Sequence, residues 1–572
     1  MKHGMKSMLE HSGSRAATHA FGRGHAIALS LAAVALLLSG CSKKETKTPP
    51  PAAPNEVEIP HLVQKDGRYA LIVDGAPYLI LGSQANNSDN YPSQLPMVWP
   101  ALDKLGANTL EMPVAWEQIE PKEGQFDFSW LDTLLSEARS HDKRLVLLWF
   151  GAYKNTGPGY APAWVQTDKA RFPKLIDAQG KPLAVLSPHS AALLEADRKA
   201  FVAFMTHLKA ADSKRTVIVV QVENETGTYR SVRDYSPAAQ KLFDGPVPAA
   251  LVKGLGKQPG TWKAVFGKNA DEYFHAWAFA HYVEAVAKAG KAVYPLPMYV
   301  NVALRDPNKD QDPIKYASGG PTWNVLDIWH ITAPSIFTAA PDIYGHTYDD
   351  AAGQIRQYTR PYNPLLIVEI GSSLDFPRYF WPVLGNGGLG FAPFGLDYTG
   401  YSNYPLGAKT VDDEIIGAFA LNYKLVGPMM REWAKIAFES KTWGAAEPDN
   451  HAAQTIGLGK WSAKIQYQQW QFGLPEWNIV KPGDVPAGTE KPSGGVAIAQ
   501  IGPDEFLVIG YHARATFTLA DTKSKDMVYQ HVEEGHFKNG QWVFDRVWNG
   551  DETDWGLNLT QPRILRVKLA TY

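Results

Sequence analysis

"TVIVVQVENETG", residues 216 to 227, runs five β-branched residues, Thr216 to Val220, into a polar cluster of Gln221, Glu223, Asn224 and Glu225 that stops at Gly227. A β-branched run of this kind is a buried strand. Polar residues at the end of such a strand fit a barrel of parallel strands, which gathers its chemistry at the C-terminal strand ends. The pattern recurs outward from this stretch. "RYALIVDGAPYLILGSQ" reads as a hairpin with an Asp74-Gly75 turn, and further buried strands are expected in "ANTLEMPV", "RLVLLWFG", "PMYVN", "PDIYG", "LLIVEIG" and "LGFAPFG". Helical periods lie between them: Leu131, Leu134, Leu135 and Ala138, and again Phe201, Phe204, Met205 and Leu208, are spaced i, i+3, i+4, i+7.

Strand–helix alternation admits two α/β folds, a (β/α)8 TIM barrel and a doubly wound sheet. A doubly wound sheet concentrates its chemistry at one switch point, whereas here polar residues close at least four strands: Glu111, Tyr153, Asn224 with Glu225, and Glu369. The expectation is therefore a barrel over residues 61–435. Past residue 436 short alternating runs separated by Gly, Asp and Asn turns predict a C-terminal β-sandwich domain over 436–572, a module packed on the barrel.

Lys and Arg total 56 against 58 Asp and Glu, a net charge of -2, so no bulk attraction to nucleic acid or anionic membrane exists and a neutral partner fits better. No HExxH, clustered Cys/His set, Walker motif or G-x-S-x-G occurs, and "GNGGLG" at Gly385 to Gly390 leads into "FAPFG" rather than a helix. No metal and no cofactor is expected.

Basic residues up to Arg23 precede the apolar run Ala26 to Leu38, which suits a signal-peptide core and is short for a membrane span. "LSGC", Leu38 to Cys41, resembles the bacterial lipobox, and Cys41 is the sole cysteine, so lipidation gives its thiol a use. Residues 1–41 thus read as a lipoprotein signal and lipobox, and 42–60 as a Pro-rich tether. Ser42 in this resemblance implies a lipid anchor in the outer membrane, facing the periplasm.

Glu225 closes the fourth strand and Glu369 the seventh, places that face each other across an eight-stranded mouth. Two carboxylates in partly desolvated positions can separate into one acid and one anion at a single pH, the requirement of glycoside hydrolysis. Glu223, two residues from Glu225, shares its strand face and is expected to contact substrate or to support a residue that does. Asn301, ending the fifth strand, and Asn87, after the first, are further candidate contacts.

"VENE" with a second Glu at strand seven resembles the glycoside hydrolases of clan A. Trp99 to Leu135 resembles the family 35 β-galactosidases more narrowly, through a W-x-x-x-E-P-x-x-G-x-F-D-F pattern read at Trp116 to Phe128. The resemblance implies a retaining exo-β-glycosidase acting on terminal β-galactosides. It implies Glu225 as acid/base, Glu369 as nucleophile, Asn224 bonded to the sugar 2-hydroxyl, Tyr344 orienting the nucleophile and Tyr153 facing the sugar. Two departures bear on sugar specificity: Ile119-Glu120-Pro121 where the family carries "HEP", and "KNTGPGY" where it carries "ICAEW". The alternatives are a β-glucosidase or β-mannosidase of the same clan, or a non-catalytic carbohydrate-binding lipoprotein.

Overall fold

The computed structural model describes residues 57–469, 491–521 and 526–572, so the signal segment, Cys41 and most of the tether lie outside the described residues. Eight parallel strands make one sheet: β1 (Ile80–Gln84), β2 (Thr109–Ala115), β3 (Arg144–Phe150), β4 (Val217–Val222), β5 (Met298–Val302), β6 (Ala339–Pro341), β7 (Ile367–Ile370) and β8 (Gly390–Pro393). The order is β6-β5-β4-β3-β2-β1-β8-β7, and the edges meet where the Ile343 N–H donates to the Glu369 carbonyl and Gly371 N–H to the Ile343 carbonyl, at 3.0 and 2.9 Å. The sheet is a barrel closed by this single bridge.

A helix follows every strand: α1 (Leu95–Leu105), α2 (Ser129–Ser140), α3 (Ala191–Ala211), α4 (Ala270–Val293), α5 (Leu326–Thr332), α6 (Tyr348–Tyr358), α7 (Phe380–Gly385) and α8 (Asp413–Val426). The expected apolar stripes are the buried faces of α2 and α3. The barrel interior is aliphatic, with Val146, Leu148, Ile218, Leu366 and Val368 in one cluster.

The hairpin turns at Asp74-Gly75, both with positive φ (54° and 73°), as a D-G pair favours. Its second arm divides, however. Ala76–Tyr78 pairs back on Arg68–Val73, while the chain past Leu79 pairs with β8 through the Ile80 N–H and Leu389 carbonyl (3.0 Å). With His61–Lys65 added, the arm is a three-stranded sheet whose Leu71, Val73 and Tyr78 join the interior cluster and close the barrel floor. Glu111 does not close a strand: it is the third residue of β2 and fully buried inside the barrel.

The C-terminal region forms a six-stranded and a four-stranded antiparallel sheet packed face to face. Along Gly495–Gly502 the side chains alternate, Val496 and Ile498 into the sandwich, Ala497 and Ala499 against the barrel shell. Small residues make this second contact close. A Cβ on Gly444 would lie 2.3 Å from the Trp381 carbonyl oxygen of α7, and one on Gly385 would lie 2.0 Å from the Gly444 nitrogen. Gly444→Ala is therefore expected to destabilise the protein by about 1–3 kcal/mol. A lowered denaturant midpoint checks this; an unchanged midpoint would mean the contact yields.

Candidate active site

The mouth of the barrel is built at the ends of β4, β5, β6 and β7. Val217 to Val222 bury as strand, and then regular geometry stops: Glu223 and Glu225 take φ of 62° and 45°, flanking Asn224. Left-handed backbone at non-glycine residues costs on the order of 1 kcal/mol or more each and clusters at functional sites. The Thr156 N–H to the Glu225 carbonyl (3.1 Å) and the Asn224 N–H to the Tyr153 carbonyl (3.1 Å) tie the strained turn to the loop after β3.

One oxygen from each of Glu225, Asp342 and Glu369 lies within 4.8 Å of the others. Asn301, at the end of β5, connects all three. Its Oδ1 accepts from the Glu225 backbone N–H (2.9 Å), and its Nδ2 donates to Asp342 Oδ2 (2.8 Å) and Glu369 Oε2 (3.4 Å). Glu369 also receives the Tyr344 hydroxyl at Oε1 (2.6 Å) and Gln84 Nε2 at Oε2 (3.2 Å). Three donors converge on one carboxylate.

Glu225 is in the opposite condition. Burial, and then the charge of Glu369, push it up to about 7 against the pull of Lys154. Asp342 is pushed well above the usual carboxylate range by burial, Glu369 and Glu225. The site can therefore present a protonated acid and an anion together at neutral pH. The three carboxylates are also close enough to hold a cation, but the amide hydrogens of Asn301 and Gln84 enter the cluster as donors, where a metal needs acceptors.

Of the residues expected from sequence, Glu225, Glu369, Asn301 and Tyr344 come together here. Asn224, beside them, is fully buried with neither side-chain polar atom partnered. Asn87 lies in the loop after β1, half-buried, with an unpartnered Oδ1.

Two expectations are corrected. Glu223 does not face the substrate side. With the strand ended and φ positive, i, i+2 alternation no longer holds, and its buried side chain takes the Tyr153 N–H (2.8 Å) and meets Asp197 of α3. Asp197 accepts from Trp149 Nε1 (3.0 Å) and the Tyr282 hydroxyl (2.8 Å). Tyr153 does not face the mouth either: its ring packs edge-on to Phe279 and Tyr282, and its hydroxyl donates to the Leu186 carbonyl (3.3 Å).

Asp342, Gln84 and Lys154 were not singled out from sequence. A signal existed for two of them, since Gln84 closes "LILGSQ" and Asp342 sits in "PDIYG" as Glu369 sits in "LLIVEIG". The "WEQIEP" motif, by contrast, is structural. Glu120 accepts from Trp116 Nε1 (2.9 Å) and the Gly124 N–H (2.7 Å), stapling the loop after β2.

Residues 99–292 match the sequence model of glycoside hydrolase family 42, described as "Beta-galactosidase", and residues 419–560 match a domain of unknown function (DUF5597). The family model that matches these residues is thus that of family 42, not of the family 35 that Trp99 to Leu135 resembles, and the motif behind that resemblance is the loop staple just described. The matched span includes Asn224 and Glu225; Asp342 and Glu369 lie beyond it. A β-galactosidase of Xanthomonas manihotis is 27% identical over 194 residues, 29% of this chain and 29% of that protein. This chain therefore spans under a third of the curated relative's length. Among solved structures, a β-galactosidase of the psychrophile Marinomonas ef1 aligns with TM-score 0.46 at 13% identity, over 63% of this chain and 62% of that one. One from Bacillus circulans sp. alkalophilus aligns with TM-score 0.43 at 13% identity, over 64% and 61%.

The buried Glu223–Asp197 pair makes a stability prediction. Burial, then Asp197, raises Glu223 well above its ordinary 4.5, so the folded protein binds a proton there that the unfolded chain releases. Stability is accordingly lost as pH rises from the unfolded value towards the folded one. Glu223→Gln, a neutral isostere that still donates to Asp197, lacks this loss. The melting temperature of the variant should gain on wild type between pH 5 and pH 8; a constant difference would mean that Glu223 is ionised when folded.

Proposed function

We propose that the protein is a retaining exo-β-glycosidase hydrolysing terminal β-galactosides, with Glu225 as acid/base and Glu369 as nucleophile. One observation carries the mechanism: one carboxylate oxygen of Glu225 lies within 4.8 Å of one of Glu369. Retaining enzymes hold their two carboxyl groups about 5–5.5 Å apart, and inverting ones about 6.5–9.5 Å to admit a water. Oxygens this close support the reading in which the second carboxylate bonds to the sugar rather than activating water across it.

The roles follow from what each group is given. Glu369, with donors from Tyr344, Gln84 and Asn301, is the anion that attacks C1. Glu225, raised to about 7, keeps its proton for the leaving oxygen and afterwards accepts one from water. Asn224 offers unpartnered amide atoms to a sugar hydroxyl. The galactoside preference is supported by the matching family model and the Xanthomonas manihotis relative, both described as β-galactosidase. The C-terminal domain serves as a structural support seated on the barrel.

Proton NMR of the first sugar released from an aryl β-galactoside tests the mechanism: the β-anomer is expected, and the α-anomer would refute retention. Glu369→Gly with azide should yield the α-glycosyl azide and Glu225→Ala the β-glycosyl azide, because azide attacks the free sugar face in the first and the covalent intermediate in the second.

The N-terminal residues support an envelope location, with Cys41 acylated and the protein held at the outer membrane. Cys41→Ala should move the protein from the membrane to the soluble fraction with kcat unchanged, since stable anchoring takes two or more acyl chains and this thiol carries them. Equal fractionation of variant and wild type would overturn the anchor.

A further inference from the structure

Asp342 has no part in the two-carboxylate reaction, yet it sits beside both of its members. It is 2% exposed. Its Oδ2 receives the Asn301 amide at 2.8 Å, while its Oδ1 is buried without a partner, and one oxygen of its carboxyl group lies within 4.8 Å of an oxygen of Glu225 and of Glu369. An ionised carboxylate with one oxygen buried and unserved pays its desolvation cost without return. A proton on that oxygen reverses the account, because an orphan acceptor becomes a donor with a carboxylate beside it.

We propose that Asp342 is a positioning residue that stays a neutral carboxylic acid through the whole reaction cycle, donating its proton as a hydrogen bond to Glu225. The inference rests on the reading of Glu225 as acid/base. In the first half-reaction Glu225 gives its own proton to the leaving oxygen while the C1–O bond breaks and Glu369 bonds to C1. The Glu225 carboxylate so formed is met by the Asp342 O–H. In the second half-reaction Glu225 takes a proton from the water whose oxygen displaces Glu369. Asp342 ends each half-reaction with the proton it began with.

The surroundings favour the neutral form. Glu225 faces Asp342 from the end of β4, Glu369 from β7, Tyr344 from the same loop, Tyr299 from β5, Tyr358 from α6 and Tyr229 from the segment after β4. Lys154, from the loop after β3, is the opposing cation. Its Nζ is engaged with Asn155 Oδ1 and lies 5.1 Å from the Phe150 ring centroid. Burial adds to the two carboxylates, and both disfavour a third anion. Asn301 is held in one sense by the Glu225 N–H on its Oδ1, so its amide hydrogens occupy Asp342 Oδ2 and Glu369 Oε2 and leave Asp342 Oδ1 as the oxygen free to carry a proton.

The basic limb of kcat/KM on an aryl β-glycoside reads the loss of the Glu225 proton. Asp342→Asn is the isostere of the neutral acid and should leave that limb within about half a pH unit of wild type, whereas removal of a neighbouring anion would lower it by about a unit or more. Asp342→Ala, which deletes the donor, should raise it. Both variants shifting the limb downward would overturn the proposal. Neutron diffraction of the deuterated wild-type protein at pH 7 decides the point without any variant or turnover: a deuteron on Asp342 upholds the inference, and a bare carboxylate overturns it. If no glycoside is cleaved, the reaction assignment fails, and the deuteron still gives the state of Asp342.

Discussion

Three carboxylates within 4.8 Å of one another, two of them almost fully buried, cannot all be ionised. At an effective dielectric of about 20, each like-charged pair at that separation repels by roughly 3 kcal/mol before desolvation is counted. The mouth of the barrel is organised to meet this constraint unequally. Glu369 is given the Tyr344 hydroxyl and two amide donors, whereas the Glu225 side chain is left beside its charge. The inequality separates one carboxyl group from the other, the division that the proposed double displacement requires.

The fold supplies the geometry this division needs. Strands β4 to β7 bring Glu225, Asn301, Asp342 and Glu369 to one end, and the bridge at Ile343 that closes the ring is bonded to the backbone of Glu369 itself. The strained turn at Glu223 and Glu225 aims consecutive residues in directions a regular strand would not allow. It is held by hydrogen bonds to the loop after β3, so local cost is met by tertiary contact. Below, the N-terminal three-stranded sheet seals the aliphatic interior, and outside, glycines in α7 and the first sandwich strand let the two regions meet backbone to backbone.

Buried carboxylates elsewhere in the barrel follow the same electrostatics to another end. Glu223 and Asp197 meet behind β4, where Trp149 and Tyr282 donors serve Asp197 and the loop backbone serves Glu223. Gly151 leaves room there: a Cβ would lie 2.7 Å from Glu223 Oε1 and 2.9 Å from Asp197 Oδ1. That pair fastens α3 to the barrel. Glu111 lies inside β2 with neither oxygen partnered among the described residues, and burial followed by the charge of Glu369 raises it well above the usual carboxylate range. Its closeness in charge to the site follows from the barrel's depth, which the strand pattern alone did not convey.

The barrel was legible because burial on both faces demands runs such as Val217 to Val222, and helix faces demand the spacing seen at Leu131 to Ala138. The two strand-end glutamates and Asn301 were legible because a polar residue closing an aliphatic run has few places to go. What the sequence by itself could not determine is direction past the last regular residue. Glu223 and Tyr153 turned away from the mouth because positive φ and packing against α4 replaced the strand's alternation. Asp342 and Gln84 turned into it because the barrel's closure brings β1, β6 and β7 around one point. Sequence periodicity records which residues are buried; only the ring of strands, by setting charges within a few ångströms, decides which of them share protons.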